Sequence, residues 1–334
     1  MSEFLSQLKL ALGELSIRAT RVLLAVSGGP DSVAMLRGMH TVAEEFQLEI
    51  AVAHLNHNLR SDESTEDAKW LGSLCAALGI ELFVENEDIS HIAKQRGLGL
   101  EETARDARYV FFRRVAGREG ISMVCLAHTA NDDAETILHH IVRGTGFAGL
   151  RGMPMSRALD SAIVIVRPLL QIERKTVEHY LQEIGQEARC DRTNDDSRFT
   201  RNRIRKSLLP LLEEQFNPRV QDALRRLGVQ AAEVQETLEM VANSRLDESA
   251  LQLSASVCRL DVESLSQTPH YLLRECFRLL WQRNSWPRQR MGFAEWERLA
   301  QLVRSRGSME FPGGIRCECR GNMLILQKRD VPAE

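Results

Sequence analysis

The stretch that most constrains the fold of this chain is Val22–Ser32, which reads VLLAVSGGPDS. Its first part, Val22–Val26, is a short apolar run that ends at a glycine pair, which is the pattern of a buried strand. Gly28 and Gly29 permit a tight turn, and Pro30 is favoured in the first turn of a helix. Free backbone N–H groups and the helix dipole then point at one place. The sequence therefore predicts an anion site after the first strand.

The residues of this turn favour a polyphosphate that is bound together with a divalent cation. An ATPase phosphate loop carries a lysine next to its Ser or Thr, whereas this turn carries Asp31. A carboxylate beside phosphates requires a cation between them, and we expect Mg²⁺ at Asp31. The candidate polyphosphate-binding residues are Ser27, Gly28, Gly29, Pro30, Asp31 and Ser32. The alternative is an ordinary turn between a strand and a helix.

Segments typical of strands and helices alternate along the first half of the chain. Strands are predicted at Val22–Val26, Ile50–His57, Leu82–Val84, Met123–Ala127 and Ile163–Val166. Helices are predicted at Ser2–Arg18, Pro30–Phe46, Ser61–Leu78, Leu100–Val115 and Asn131–Val142. This alternation predicts an α/β fold with a doubly wound parallel sheet. Such sheets bind ligands beyond the carboxyl ends of their strands, so the polar residues there should converge.

The chain has 334 residues, which favours two domains because a single core rarely exceeds about 250–300 residues. Long helices are predicted in its last third, at Pro218–Leu246, Tyr271–Gln282 and Phe293–Val303. The segment Gly307–Gln327 contains two glycine turns and is predicted to form short strands. We therefore predict an α/β domain over 1–216 and a second, mainly helical domain over 217–334 that ends in a hairpin.

The composition is that of a folded protein, with 43% hydrophobic and 27% charged residues. Its net charge of −3 favours no class of partner, but 43 Lys and Arg suffice for a local basic face. The seven cysteines are scattered and form no CxxC pair, which argues against zinc ribbons, redox pairs and iron–sulfur sites. No segment has the pattern of a signal peptide or a membrane span, so we expect a cytoplasmic protein without membrane contact.

Polar residues lie at the end of the second predicted strand, at His54, Asn56 and His57. On a strand, His54 and Asn56 face one way, and His57 begins the loop. Two histidines can ligate a metal, but no third ligand is evident. Hydrogen bonding to a nucleotide or to a base edge is the interpretation we favour. The alternative is a set of polar residues that simply end a strand.

An arginine on the helix after the third strand is a candidate phosphate ligand. Arg105 lies one turn from Glu101 and from Tyr109, so these three residues share a helix face. Arg grips phosphate through two parallel hydrogen bonds, which fits a site at this edge of the sheet. A surface ladder of ion pairs is the alternative explanation.

Asp132 and Glu135 lie three residues apart at the start of the helix after the fourth strand. This spacing lets both carboxylates face one site, with His128 close by. They are candidates for positioning Mg²⁺ or removing a proton. Acids at a helix N-terminus also act as caps, and this alternative explains one of the two acids.

A basic helix start contains Arg201, Asn202 and Arg205. Arginine binds RNA phosphates, and polar or aromatic neighbours such as Phe199 suit exposed bases. The alternative is a solvated basic surface.

The order of these blocks resembles the bacterial tRNA(Ile)-lysidine synthetases, a family of the N-type ATP pyrophosphatases, also called the PP-loop superfamily. The matching blocks are SGGPDS (Ser27–Ser32), HLNHNLR (His54–Arg60), ETARDARY (Glu102–Tyr109), AHTANDDAET (Ala127–Thr136), RGTGFAGLRGM (Arg143–Met153), RPLL (Arg167–Leu170), and DRTND with RNRIR between Asp191 and Arg205. The first block is common to the superfamily, whereas the whole series is specific to the family.

The resemblance implies ligation of L-lysine to the wobble cytidine of the tRNA(Ile) whose anticodon is CAU. The cytidine C2 oxygen attacks the α-phosphate of ATP, and lysine then displaces AMP from C2 to form lysidine. It implies Asp132, Glu135 and Arg105 as catalytic residues. It also implies ATP as co-substrate, Mg²⁺ as metal ion, and tRNA binding by the second domain.

The chain departs from the family pattern of an aspartate pair followed by glutamine, because it has Asn131, Asp132 and Asp133. We assign the family's acid to Asp132, since its spacing to Glu135 is kept. The roles of Asn131 and Asp133 stay open, as do the choice between monomer and homodimer and the acid that contacts lysine. We expect the shorter form of the family, without its extra C-terminal domain.

Two rival functions remain open at this point. A tRNA thiolation enzyme of the same superfamily would also adenylate a base, but it needs catalytic or cluster cysteines. A protein that binds tRNA or nucleotide without catalysis is the second rival. The acids at Asp31, Asp132 and Glu135 argue against it.

Overall fold

The structure is a computed structural model that describes residues 2–56, 61–189 and 200–328, with side chains for all of these except 61–65. It divides into two compact units, one ending at Gly228 and the other starting at Val229. This division falls inside a long helix, later in the chain than the boundary predicted after residue 216. The two units are described separately.

The first unit contains ten α-helices and six strands in the residues that the structure describes. The helices are α1 (Glu3–Glu14), α2 (Pro30–Phe46), α3 (Ser61–Leu78), α4 (Ile89–Arg96), α5 (Leu100–Glu119), α6 (Ala130–Arg143), α7 (Phe147–Leu150), α8 (Arg174–Glu183), α9 (Thr200–Arg203) and α10 (Leu209–Gln215). The strands are β1 (Thr20–Ala25), β2 (Leu48–Asn56), β3 (Glu81–Asn86), β4 (Met123–Leu126), β5 (Ser156–Ala158) and β6 (Val164–Val166). All five predicted strands are present. The elements that were not predicted are α4, α7, α8, α10 and β5.

The six strands form one sheet in the order β3-β2-β1-β4-β6-β5. All neighbours are parallel except β5, which pairs antiparallel with β6 at the edge. Val22 of β1 pairs with Ile50 on one side and with Met123 on the other. The strand order therefore reverses between β1 and β4, which is where doubly wound sheets bind ligands. This topology confirms the predicted fold class.

Helices cover both faces of this sheet because neighbouring residues of a strand point to opposite faces. Val22 and Leu24 belong to a buried cluster with residues of α1, α2 and α8. Leu23, which lies between them, belongs to a second cluster with residues of α5. Each fully buried side chain of this size contributes about 1.5–3 kcal/mol to folding. The two clusters hold the ends of β1 and β4 in fixed positions.

The helix that carries the basic residues contains a wider turn. α9 continues through a π-helical turn at Ile204–Leu208 into α10. Pro210 has no N–H to donate to the carbonyl of Lys206, and its ring would collide with that carbonyl in a regular α-helix. Such turns are often found at functional sites. Arg205 lies within this one.

The second unit combines helices with a five-stranded antiparallel sheet. Its elements, with the long helix that enters it, are α11 (Val220–Ser249), β7 (Ala250–Leu253), β8 (Val257–Asp261), α12 (Val262–Ser266), α13 (His270–Arg283), α14 (Phe293–Ser305), β9 (Gly307–Phe311), β10 (Ile315–Arg320) and β11 (Met323–Lys328). The sheet order is β7-β8-β11-β10-β9. The predicted helices and terminal strands are present, and β7, β8 and α12 are additional elements between α11 and α13.

The core of the second unit is built around Trp281. Its ring meets those of Trp286 and Trp296 edge to face, with centroids 4.9 and 5.3 Å apart. Such aromatic pairs contribute about 0.5–1.5 kcal/mol beyond the area that they bury. Among the described residues, no helix is both long enough and apolar enough to cross a bilayer.

Candidate active site

The turn after β1 has the geometry of an anion-binding loop. Gly28 adopts a φ of +95°, a conformation that residues with a Cβ rarely reach. The Ser32 hydroxyl donates to the Gly29 carbonyl at 2.9 Å and accepts from the Ser27 N–H at 3.2 Å. The Gly28 carbonyl accepts from the Arg189 N–H at 2.9 Å. These bonds hold the turn at the N-terminus of α2, which begins at Pro30.

Asp31 lies in the first turn of α2 and is largely buried. Its Oδ1 is buried and accepts no hydrogen bond from the residues that the structure describes. Its Oδ2 lies 3.4 Å from Arg174 Nε. Burial raises the pKa of Asp31 to about 6, and nearby Asp132 acts in the same direction while Arg174 opposes both. A buried carboxylate oxygen without a partner is suited to a cation.

Asp132 is buried and has a different task on each carboxylate oxygen. Oδ2 accepts from the Thr129 N–H at 2.8 Å and caps α6, as the helix-cap alternative predicted. Oδ1 accepts from Arg205 Nη2 at 2.8 Å and from Arg174 Nη2 at 3.2 Å. One aspartate thus both caps its helix and faces the site.

Glu135 is almost fully buried, with 1% of its surface exposed. Its Oε1 accepts from Arg205 Nε at 2.5 Å, and its Oε2 accepts from Arg201 Nε at 3.3 Å. Arg174 Nη1 lies 4.0 Å from Oε1. We call the three acids Asp31, Asp132 and Glu135, together with Arg174, Arg201 and Arg205, the carboxylate–arginine site.

The charges of this site balance, with three carboxylates and three guanidinium groups. Burial raises the pKa of Asp132, but Arg174, Arg201 and His128 outweigh it and hold that pKa below its ordinary range. For Arg205, burial acts to lower the pKa, but the hydrogen bond and charge of Glu135 together with Asp132 raise it above its ordinary range. Asp132 is therefore ionised at neutral pH, as a cation-holding carboxylate must be.

Asn131 and Asp133, whose roles were left open, have structural tasks in this fold. The Asn131 side-chain oxygen accepts from the Arg174 N–H at 2.8 Å, and its amide donates to Gln221 at 2.7 Å. Asp133 Oδ1 accepts from the Met153 N–H at 2.7 Å. Asn131 thereby fixes the start of α8, where Arg174 lies, and Asp133 fixes the loop that follows α7.

His54 and Asn56 are buried at the carboxyl end of β2. His54 Nδ1 lies 2.8 Å from the Val26 carbonyl, so Nδ1 carries the proton and Nε2 is an acceptor. Burial lowers the pKa of His54, which keeps the ring neutral. Asn56 shares its side of the strand, as predicted. His57 lies outside the described residues, and so do the DRTND block and Phe199.

His128 and Arg167 lie at the ends of β4 and β6. Arg167 is buried and donates from Nε to His128 Nδ1 at 3.2 Å and from Nη1 to the Pro154 carbonyl at 2.6 Å. Burial lowers the pKa of His128 to about 3, and the charge of Arg167 adds to this effect against the opposing charge of Asp132. His128 is therefore a neutral acceptor at physiological pH.

Arg105 lies apart from the carboxylate–arginine site in its described contacts. Its guanidinium carbon lies 5.6 Å from the ring centroid of Tyr109. Asn202 lies in α9 between the two arginines of the site. The predicted roles of Arg105, Asn202, Arg201 and Arg205 toward substrate remain predictions.

Arg174 is the residue of this site that sequence reasoning missed. It is the first residue of α8, a helix that was not predicted. An available signal was its position shortly after the RPLL block, behind the last parallel strand. In a doubly wound sheet, a residue that follows a parallel strand lies at the edge where ligands bind.

The described part of the chain contains no group of three or more His, Cys, Asp or Glu side chains arranged for a metal ion. Mg²⁺ that is bound with nucleotide phosphates needs only one or two carboxylates, because phosphates and water complete its shell. The unpartnered Oδ1 of Asp31 fits this kind of site.

The model of the PP-loop domain family matches residues 2–212. Three relatives carry the name tRNA(Ile)-lysidine synthase. That of Rhodopirellula baltica is 31% identical over 91% of this chain and 90% of its own. That of Clostridioides difficile is 35% identical over 69% of this chain and 49% of its own. That of Dehalococcoides mccartyi is 39% identical over 66% of this chain and 48% of its own. The chain spans about half the length of these last two proteins.

Among solved structures, the tRNA thiolase NcsA from Methanococcus maripaludis, solved with its 4Fe–4S cluster, is similar in fold. The TM-score is 0.58 over 69% of this chain and 79% of that chain, at 16% identity. At this level of identity, the likeness concerns the fold alone.

Proposed function

Because this chain belongs to the PP-loop family of tRNA(Ile)-lysidine synthases, we propose that it uses ATP to ligate L-lysine to the wobble cytidine of tRNA(Ile) with a CAU anticodon. The modified tRNA reads AUA in place of AUG. The observation that carries the proposal is the meeting of Asp31, Asp132 and Glu135 around Arg174 at the point where the strand order reverses.

The turn after β1 is proposed to hold the β- and γ-phosphates of ATP. Its support is the glycine turn at the N-terminus of α2, where backbone N–H groups and the helix dipole face an anion. The residues are Ser27, Gly28, Gly29, Pro30, Asp31 and Ser32. Asp31 would hold Mg²⁺, which would supply positive charge to the leaving pyrophosphate.

His54 and Asn56 are proposed to bind the nucleoside part of ATP. They are buried at the end of β2, the neighbour of β1, and His54 presents a neutral ring whose Nε2 is an acceptor. Neutral donors and acceptors discriminate a base edge without attracting stray ions. His57 follows them in the chain and is proposed for the same role.

In the first chemical step, the C2 oxygen of the cytidine attacks the α-phosphorus of ATP. The bond from phosphorus to the bridging oxygen of pyrophosphate breaks, which yields an adenylated cytidine and pyrophosphate. Arg105 is proposed to stabilise the α-phosphate as its charge develops. An anticodon loop presents its bases unstacked at low cost, so the cytidine can enter the site.

In the second step, an amine of lysine attacks C2, and the bond from C2 to oxygen breaks to release AMP. Asp132 and Glu135 are proposed to hold the lysine ammonium, and one of them accepts the proton that the attacking amine loses. The two carboxylates bind three guanidinium groups in this structure, so they are suited to holding a cation. Holding both reactants in place replaces a covalent enzyme intermediate.

Lysine binding is proposed to proceed by exchange of cations on these acids. Arg201 and Arg205 pair with Glu135 but remain partly exposed. When the polyanionic tRNA arrives, these arginines have a second partner in its phosphates, with Asn202 beside them. The ammonium of lysine then takes their place on Glu135.

The region 217–334 is proposed as the tRNA-binding domain, and the protein is proposed to act in the cytoplasm. A homodimer is compatible with this function, and the proposal does not depend on it. Incubation of the protein with tRNA(Ile), ATP and labelled lysine tests the function directly. Label that stays on the tRNA supports the proposal. Absence of label on a tRNA(Ile) with an unmodified CAU anticodon contradicts it.

The rival function, tRNA thiolation, requires reactive or cluster-binding cysteines. Burial raises the pKa of Cys75 to about 11 and that of Cys125 to about 12, so neither thiol is suited to act as a nucleophile. Cys190 lies outside the described residues. Replacement of all seven cysteines by serine is expected to leave lysine ligation intact, whereas a thiolation enzyme would lose its turnover.

A further inference from the structure

A second group of arginines lies beside the carboxylate–arginine site. Arg105 of α5, Arg157 of β5 and Arg167 after β6 surround Tyr109, and we call these four residues the basic cluster. The guanidinium carbons of Arg157 and Arg105 lie 4.8 and 5.6 Å from the Tyr109 ring centroid. Within the described residues, none of the three arginines forms an ion pair with an acid.

The fold itself turns Arg157 toward this place. β5 pairs antiparallel with β6, and Arg157 lies opposite Ile165. Residues directly opposite each other in a sheet point to the same face. Ile165 belongs to the buried cluster that α5 covers, so Arg157 points toward α5, where Tyr109 and Arg105 lie. The Arg157 Nε is buried and finds no hydrogen-bond partner in the described part of the chain.

Like charges that lie this close repel each other, which lowers the stability of the fold. A buried hydrogen-bond donor without a partner lowers it further by about 1–3 kcal/mol, the desolvation cost of that group. Burial raises the pKa of Tyr109, yet the charges of Arg105, Arg157 and Arg167 and a hydrogen bond from Arg157 together hold it below its ordinary range. Burial lowers the pKa of Arg167, and Arg157 and Arg105 lower it further, while the charges of Tyr109 and Asp133 act to raise it. An anion bound among the arginines would offset the remaining repulsion and give the buried donor a partner.

An anion bound at this cluster would be a different one from the polyphosphate proposed at the β1 turn. Arg157 lies on a strand three places from β1 in the sheet order β1-β4-β6-β5. Neighbouring strands are about 4.8 Å apart, so this separation is about 14 Å. The charges that act on Asp31 are those of Arg174, Asp132 and Arg205, and none of them belongs to the basic cluster.

We propose that Arg157, with Arg167 and Tyr109, binds a backbone phosphate of the RNA substrate next to the nucleotide that reacts, while Arg105 keeps its proposed role at the α-phosphate of ATP. The inference rests on the proposed function for the identity of the RNA. Arg167 links the cluster to His128 at the end of β4, so a phosphate held here lies beside the carboxylate–arginine site. A guanidinium group beside an aromatic ring suits a phosphodiester with a neighbouring base that can stack.

The test compares Arg157→Gln with Arg113→Gln. Arg113 belongs to α5, the helix on the same side of the sheet. Its side chain is about half exposed and pairs with Asp160 at 2.9 Å. Both variants remove one positive charge, so their long-range electrostatic effects are matched. The dissociation constant for tRNA(Ile) and for an unrelated tRNA is measured over a series of KCl concentrations, with the KM for ATP and the Tm of each variant.

We expect Arg157→Gln to raise the dissociation constants for both tRNAs by a similar factor, because a phosphate contact does not depend on the base sequence. The slope of log Kd against log salt should fall by about 0.7–0.9, the value for one lost phosphate contact. Arg113→Gln should leave the slope unchanged, and Arg157→Lys should restore most of it because the charge is kept.

Two results would overturn the inference. An unchanged slope with a lower Tm means that Arg157 only ties β5 to α5 through Tyr109. An unchanged slope with a raised KM for ATP means that the bound phosphate belongs to the nucleotide. Lysidine formation by the unmodified protein is measured first, so failure of the proposed function is recognised separately.

Discussion

Arg174 Nε lies 3.4 Å from Asp31 Oδ2, although the two residues belong to helices that follow different strands. The same guanidinium reaches Asp132 Oδ1 at 3.2 Å. One side chain therefore neutralises acids from the turn after β1 and from the start of α6. Arg174 links the candidate polyphosphate loop to the candidate lysine-binding acids.

Loss of Arg174 should destabilise the protein and stop catalysis. Arg174→Gln leaves buried carboxylates without one of their charged partners, at a cost of about 1–3 kcal/mol. The matched control is Lys175→Gln, since Lys175 is the next residue and is 79% exposed. Chemical unfolding and lysidine formation are measured for both. Equal stability of the two variants would contradict the role given to Arg174.

Asp31→Asn should abolish pyrophosphate release while tRNA binding survives. The substitution keeps the shape of the side chain but removes the charge that the proposed Mg²⁺ requires. We expect the rate of pyrophosphate release to fall by about a hundredfold or more. Filter binding of labelled tRNA(Ile) provides the control. Weakened tRNA binding with normal ATP cleavage would refute the assignment.

The double variant Arg201→Ala, Arg205→Ala should bind tRNA with a smaller salt dependence. Each arginine that contacts a phosphate adds to the slope, so two lost contacts should lower it by about 1.4–1.8. The KM for lysine should change as well, because Glu135 loses two partners. Arg203→Ala removes an exposed charge from the same helix and should leave the KM for lysine unchanged. If the salt slope of the double variant stays as in the unmodified protein, the exchange model fails.

Gly28→Ala should impair ATP binding, whereas Gly13→Ala should not. Gly28 has a φ of +95°, so a side chain there costs about 1–2 kcal/mol and distorts the turn. Gly13 lies in α1 with nothing within 4 Å of an added Cβ, so alanine should stabilise it by about 0.5–1 kcal/mol. Thermal unfolding and the KM for ATP distinguish the two. An unaltered KM in Gly28→Ala would argue against a close approach of phosphate to this turn.

The stability of the first unit should fall in mild acid because His128 is buried as a neutral ring. Its pKa is about 3 in the folded protein, against 6.5 for an ordinary histidine. The unfolded chain therefore binds more protons between these values, so stability is full above pH 6.5 and declines as pH falls. One such group contributes a slope of up to about 1.4 kcal/mol per pH unit.

His128→Asn is the test of this pH effect, since asparagine keeps an acceptor for Arg167 but does not titrate. Urea unfolding at about pH 7 and at about pH 5 should show a smaller loss in the variant than in the unmodified protein. An identical loss in both would mean that other groups cause the acid sensitivity.

Much of the first unit was predictable from local pattern. The five parallel strands, the glycine turn and the start of α2 followed from apolar runs and turn residues, because these features depend on near neighbours in the chain. The edge strand β5 was not predictable in this way. It has three residues, Ser156–Ala158, of which two are exposed, and it exists only because β6 offers an open edge.

The partners of the charged residues could not be read from their spacing. Asp132 and Glu135 were predicted to share a site, and they do, since three residues make almost one helical turn. Arg201 and Arg205 were assigned to RNA on their basic pattern, yet in the structure they pair with Glu135. The π-helical turn before Pro210 carries Arg205, and no local charge pattern shows where such a turn will aim a side chain.

The sequence by itself determined the doubly wound sheet and the residue types that could bind a polyphosphate, because strand, turn and helix signals act over a few residues. Only the tertiary structure decided which charges meet. Arg174, Arg201 and Arg205 reach the same carboxylates from helices far apart in the chain, and that meeting depends on the packing of those helices. Ion pairing acts through space, so the neighbours that set a pKa become known only once the chain is folded.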